Sequence, residues 1–210
     1  VNDRVSRPRL GLRPWGASPQ ARPWGVLASL LVPILLFQCG GAPVRMALRF
    51  DRQAILAGEV WRLLTAHFVH LGWTHCLLNA AGLCLCLALA GNRHGMGWWW
   101  RRTIVLALGI SLALLWLPPH IPDYVGLSGV LYGFFVLVLL PMARRDWLAA
   151  AVLLFVVGRM LWQLLAGASP DEERLIGGMV IGAAHAYGVA LALAMLAWRA
   201  VGRFRARAAP

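Results

Sequence analysis

Charge is scarce in this sequence, and most of it is of one sign. Only 13% of the 210 residues are Asp, Glu, Lys or Arg, about half the share of an ordinary soluble domain. Lysine is absent: all 20 basic residues are arginine, against eight acids, for a formal net charge of +12. So little charge, beside 60% hydrophobic residues and a mean hydropathy of +0.67, excludes a water-soluble globular domain. It equally excludes a disordered chain, which needs low hydrophobicity and high charge. Nucleic acid is excluded as a partner, because the arginines lie between apolar runs rather than along one soluble face. The four cysteines, Cys39, Cys76, Cys84 and Cys86, fall in or beside those runs, so they read as small apolar side chains and not as a disulfide framework. No internal repeat is present, which disfavours an inverted-repeat transporter.

What the sequence does contain is six apolar stretches, at 24–39, 71–90, 103–117, 125–140, 147–166 and 176–198. A helix needs about 20 apolar residues to cross the hydrocarbon. The expected fold class is therefore all-α: a polytopic membrane protein with a six-transmembrane-helix bundle over residues 24–198, bathed in membrane lipid. The first, third and fourth stretches are short, and the fourth runs into Pro141. A short span can begin below the membrane surface where protein shields its end from lipid. Residues 1–23, rich in Arg, Pro and Gly, read as a disordered cytoplasmic tail. A signal peptide is disfavoured there, since Pro33 interrupts the apolar run and no small-residue cleavage site follows. Residues 199–210 read as a basic cytoplasmic tail, and 40–70 as an outer segment lying partly in the interface. No further soluble domain is expected.

Orientation follows from the arginines. Fourteen of them (in the N-terminal tail, Arg93, Arg101, Arg102, Arg144, Arg145 and the C-terminal tail) fall on one side, against Arg45, Arg49, Arg52, Arg62 and Arg174 on the other. The richer side is cytoplasmic, so both termini are expected there. Trp98-Trp99-Trp100, Trp147 and Trp198 sit at cytoplasmic ends, where interfacial aromatics anchor.

Polar residues inside the stretches are few: His75 and Asn79 in the second, Ser128 in the fourth, Arg159 and Gln163 in the fifth, and His185 in the sixth. Any one alone reads as packing glue worth about 1 kcal/mol. As a set they point to chemistry. Ser128 lies in Gly126-Leu127-Ser128-Gly129 near the outer end of the fourth stretch, where glycines admit a close substrate and free helix N–H groups favour developing negative charge. His185 lies about two turns into the sixth stretch from the same face, so the two form a candidate nucleophile–base pair. All eight acids fall outside the stretches, so a carboxylate triad is not expected and packing is left to hold the histidine. Tyr132 shares the face of Ser128 and is placed to stack on His185. His75 and Asn79, four apart, share another face and offer two donors to an oxyanion alongside the Ser128 backbone N–H.

These residues resemble the rhomboid family of intramembrane serine proteases. The likeness rests on Glu59-Val60-Trp61-Arg62, on His70, His75 and Asn79 in the spacing H-x4-H-x3-N, on GLSG with Tyr132 following, and on Ala184-His185 with Gly188 a turn later. It spans roughly residues 55–192. The resemblance implies Ser128 as nucleophile, His185 as general base, and His75 and Asn79 around the oxyanion with Gly126 and Leu127. Tyr132 would stack on His185, Glu59, Trp61 and Arg62 would shape the first outer loop, and Gly129, Gly133, Gly188 and Ala192 would let two helices approach. His70 would structure the loop. A narrower likeness, carried by GLSGVLYG and HLGWTHCLLNAAGL, is to the rhombosortases, which process proteins with a C-terminal Gly-Gly motif, transmembrane helix and basic end. The implied activity is endoproteolysis of transmembrane substrates near the outer face of a bacterial inner membrane, without cofactor or metal. Substrate would enter between the second and fifth helices.

Other readings compete. A catalytically silent relative that binds membrane clients is the main alternative, although such relatives lose the serine or the histidine and both are present. A zinc site at His67, His70 and His75 is disfavoured, because no Glu lies between them as a metalloprotease requires. His67, His94 and His120 read as interfacial. Arg159 reads as snorkelling to the outer interface in preference to binding a substrate carboxylate. Cys76 has no neighbour to lower its pKa and reads as packing.

Overall fold

The computed structural model describes residues 23–118 and 120–208. Apart from Pro23, the tail expected over 1–23 lies outside the described residues. Among the described residues ten α-helices and one two-residue strand pair follow in order: α1 (Pro23–Cys39), α2 (Gly41–Leu48), β1 (Phe50–Asp51), α3 (Arg52–Leu56), α4 (Arg62–Thr65), α5 (Trp73–Ala90), α6 (Met96–Trp116), β2 (Asp123–Tyr124), α7 (Ser128–Leu139), α8 (Trp147–Ala166), α9 (Pro170–Ile176) and α10 (Gly182–Ala208), with short 3-10 helices at Ala66–Phe68 and Gly91–Arg93. The protein is an all-α polytopic membrane protein.

Not all six expected spans have spanning length. Trp73–Arg93, Met96–Trp116, Trp147–Ala166 and Gly182–Ala206 are long and apolar enough to cross a membrane. A fifth span exists only if α1 and α2 count together, and these are bent by 116° at Gly40-Gly41, where Gly41 has φ +63°. The sixth, α7, has 12 residues, about 18 Å of helix against roughly 30 Å of hydrocarbon. It is tolerated because α7 is walled in by protein: Val130, Phe134 and Leu139 have no exposed surface, and α5, α6, α8 and α10 all pack on it. The long helices carry the lipid-facing surface instead, with Leu77, Leu85, Leu112, Leu154, Phe155 and Leu165 exposed.

Boundaries follow local chemistry. Asp146 caps α8 by accepting from the Leu148 and Ala149 N–H groups, satisfying donors that a helix start leaves free. The span expected over 176–198 runs as one helix only from Gly182, where α10 starts; before it α9, capped by Ser169 Oγ accepting from Glu172 N, ends at Gly177 with φ +87°. The last helix runs on to Ala208, so residues 199–208 continue it.

The outer segment is a folded cap. β1 and β2 pair antiparallel, Phe50 opposite Tyr124, tying it to the approach to α7. Arg52 donates to the carbonyls of Leu114, Leu115, Pro118 and Ile121, closing the exposed C-terminus of α6 with a cation, as the helix dipole favours. The buried Arg62 bonds Glu59 (2.6 Å) and the Met46 and Arg49 carbonyls at 2.8 and 3.0 Å.

Candidate active site

The cap, the start of α5, the end of α8 and the starts of α7 and α10 gather at one end of the bundle. There Ser128 is the first residue of α7, half-buried, and His185 stands on the first turn of α10, buried. His185 Nε2 is 2.8 Å from Ser128 Oγ. Glycine makes this approach possible. A Cβ on Gly129 would stand 2.9 Å from the Ala184 carbonyl oxygen, one on Gly133 would stand 3.0 Å from that of Gly188, and one on Gly188 would run into the Gly129 carbonyl. Backbones therefore meet directly, as small residues allow between membrane helices. The Tyr132 ring stacks on His185, centroids 4.3 Å apart and planes within 20°.

Before Ser128 the chain turns at Gly126, φ +114°, a conformation that L side chains rarely adopt. A Cβ there would lie 2.8 Å from Cε1 and Nε2 of His75. His75 thus abuts the backbone leading into Ser128. Its Nδ1 accepts a long bond (3.4 Å) from Leu71 N, which leaves the proton on Nε2, the atom facing Gly126. Asn79 Nδ2 donates to the His75 carbonyl of its own helix at 2.9 Å, so one of the two N–H groups counted as oxyanion donors is engaged within α5. Asn79 Oδ1 is buried with no protein partner. Leu127, fully buried, accepts from Leu131 N and opens α7.

The structure departs from expectation at three points. His67 is not interfacial: it has no exposed surface, its Nε2 is 3.0 Å from Ser111 Oγ, and burial pushes its pKa down to about 4, so the ring is neutral. His94, by contrast, stacks on Trp98 (3.9 Å), and His120 is exposed. Arg159 neither snorkels free nor waits for a substrate; it pairs with Glu172. Packing alone does not hold His185, because its Nδ1 is 2.7 Å from Gln163 Oε1. Gln163 Nε2 in turn donates to Glu172 Oε1 at 3.0 Å. Arg159 and Gln163, four apart and followed by an acidic cluster, carried the signal for this chain; Ser111, a lone hydroxyl in an apolar stretch, carried that for His67.

His70 is buried edge-on to His75, centroids 5.0 Å apart, with both ring nitrogens lacking a protein partner. Among the described residues no three His, Cys, Asp or Glu side chains converge as metal ligands would. Tyr124 donates its hydroxyl to the Gly126 carbonyl (2.7 Å), and burial pushes its pKa up to about 12, keeping it a donor.

A polytopic helical membrane protein with a serine and a histidine in contact at the end of two glycine-packed helices is the class these features define. The Rhomboid domain family matches residues 57–200, and the chain belongs to that family. No individual curated protein matches it significantly.

Proposed function

We propose that this protein is an intramembrane serine endopeptidase. The observation that carries the reading is the 2.8 Å contact between Ser128 Oγ and His185 Nε2 in a chain of the rhomboid family. In this reading Ser128 attacks a carbonyl of a transmembrane substrate and His185 takes its proton. His75 Nε2, the free N–H of Asn79 and the Ser128 backbone N–H hold the oxyanion, Gly126 and Leu127 shape its floor, and Tyr132 steadies the imidazole. Acyl-enzyme hydrolysis then returns Ser128. Residues 24–198 form a six-helix core, with α1 and the shielded α7 completing the four long spans. The arginine distribution supports an inner-membrane placement with cytoplasmic termini at residues 1–23 and 199–210 and a site opening to the periplasm. Substrate enters between α5 and α8, which flank α7.

The narrower reading is rhombosortase-like removal of C-terminal Gly-Gly transmembrane tails. It is supported by the GLSGVLYG and HLGWTHCLLNAAGL segments, and chemically by the need for an extended scissile backbone, which glycines supply.

Fluorophosphonate labelling of the detergent-solubilised protein tests the class. Labelling of wild type that vanishes in Ser128→Ala and His185→Ala is expected. A folded wild type that stays unlabelled overturns the protease reading in favour of a client-binding relative. Cleavage of a reporter ending in Gly-Gly, an apolar helix and arginines, but not of the same reporter with Val-Val, tests the narrower reading.

A further inference from the structure

The hydrogen bonds behind His185 form a directed chain, and its direction can be read from one end. Glu172 carboxylate oxygens only accept, so the amide nitrogen of Gln163 must face Glu172 Oε1, as its 3.0 Å bond has it. The amide oxygen then faces His185 Nδ1, 2.7 Å away. An amide oxygen only accepts, so Nδ1 carries the proton of the neutral ring and Nε2 presents its lone pair to Ser128 Oγ. Arg159, one turn before Gln163 on α8, pairs with the other oxygen of the same carboxylate, pinning Glu172 against α8. Gln163 is itself buried, so solvent competes little for its amide, while Glu172 and Arg159 are partly exposed.

We infer that Gln163 is a positioning residue for the reaction, selecting the His185 tautomer that can act as base and accepting a hydrogen bond from Nδ1–H, which keeps its proton when Nε2 takes the serine's and the imidazolium forms, with Glu172 and Arg159 holding its amide in the one productive orientation. The inference rests on the protease reading above. It replaces an unsupported dyad with a Ser–His–Gln arrangement whose outer anchor, α9, lies outside the membrane spans. A neutral amide in that place stabilises imidazolium less than a carboxylate does, yet fixes the tautomer as firmly. His185 also faces His75 of α5, Arg159 of α8, and Ser128 and Tyr132 of α7; Glu172 of α9 reaches it only through Gln163.

The test is the rate of fluorophosphonate labelling against pH in detergent, with thermal unfolding as control. Gln163→Leu is expected to unfold near the wild-type temperature and to label about tenfold to a hundredfold more slowly, as for a buried donor left without its acceptor. Gln163→Glu combined with Glu172→Gln, which turns a donor amide towards the new carboxylate, is expected to recover most of that rate. It also raises the pH of half-maximal labelling by about 1 or more, because a carboxylate beside Nδ1 favours the protonated ring and labelling needs the neutral one. A Gln163→Leu protein that labels at the wild-type rate overturns the inference, and so does a Gln163→Glu/Glu172→Gln protein no faster than Gln163→Leu, which would assign Gln163 a packing role. If Gln163→Leu does not fold, Glu172→Leu decides: labelling slowed about threefold or more supports the chain, and the wild-type rate overturns it. These outcomes are separable from failure of the protease reading, in which wild type itself would not label.

Discussion

On the α7–α8–α10 side of the bundle, polar atoms pass their hydrogen bonds along from Ser128 through His185, Gln163 and Glu172 to Arg159. On the α5 side, less than a bundle's width away, His67 Nδ1, both nitrogens of His70 and Asn79 Oδ1 are buried with no protein partner. A buried polar atom without a partner costs about 1–3 kcal/mol, so the difference is not indifferent to stability. The wired side has one tautomer and one geometry, which suits a nucleophile and its base. The α5 side keeps unpaired atoms near the Gly126 turn; in the protease reading an imidazole N–H among them, and not the accepting Asn79 Oδ1, is what a briefly formed negative charge can use.

The sharpest way to break this comparison is on the α5 side. His75→Ala or Asn79→Ala is expected to slow reporter cleavage by about a hundredfold to a thousandfold, as loss of an oxyanion donor does, while the unfolding temperature stays near wild type. Equal losses of rate and stability would make these residues structural and erase the distinction. Next in size, Gly188→Ala drives a Cβ into the Gly129 carbonyl. Forcing apart packed backbones is expected to cost about 1–3 kcal/mol in a denaturation experiment, and labelling of Ser128 should fall with it.

Smaller effects sharpen the picture. Tyr132→Leu removes the ring stacked on His185 and is expected to lower the labelling rate about threefold to tenfold, whereas Tyr132→Phe should match wild type. The smallest effect is in the outer cap. Asp51 caps α3 by accepting from Ala54 N, and this bond, aided by Arg49 and Arg62 and opposed by partial burial, holds its carboxyl below the usual value. Its contribution is complete above pH of about 4 and is lost as pH falls through the lowered folded-state value. Asp51→Asn should therefore keep the cap and flatten that acid limb of the stability curve. Asp51→Ala should cost about 1 kcal/mol at neutral pH.

Much of this was legible in the chain. The spans α5 and α8 are apolar runs that need no partner to be recognised, whereas α6 reads short in sequence, as 103–117, because its first turns carry Trp98-Trp99-Trp100 and Arg101-Arg102, although the helix has spanning length from Met96. Ser128, Tyr132 and His185 stand out because a polar atom in hydrocarbon is rare enough to be noticed. The shortness of α7 was legible too, though its protection by four neighbours was not. The division at Gly177 was hidden because α9 is polar and the apolar run begins at its last residue. Gln163 and Glu172 were both visible, but their contact depends on the Gly167–Ser169 turn folding α9 back beside α8, which no periodicity announces. His67 was misjudged because its partner Ser111 is 44 residues away, and a histidine beside a loop looks the same in sequence whether buried or wet.

In the protease reading proposed above, the brevity of α7 couples the chemistry to the bilayer itself. With α7 screened from lipid, Ser128 keeps its height relative to the protein, while the surface of the surrounding membrane rises or sinks as the outer helices adapt to local thickness. A thicker membrane lengthens the column of protein and headgroup that water must cross to reach the acyl-enzyme, and a thinner one shortens it. Acyl-chain length thereby becomes a control on turnover that acts without touching a single residue of the site.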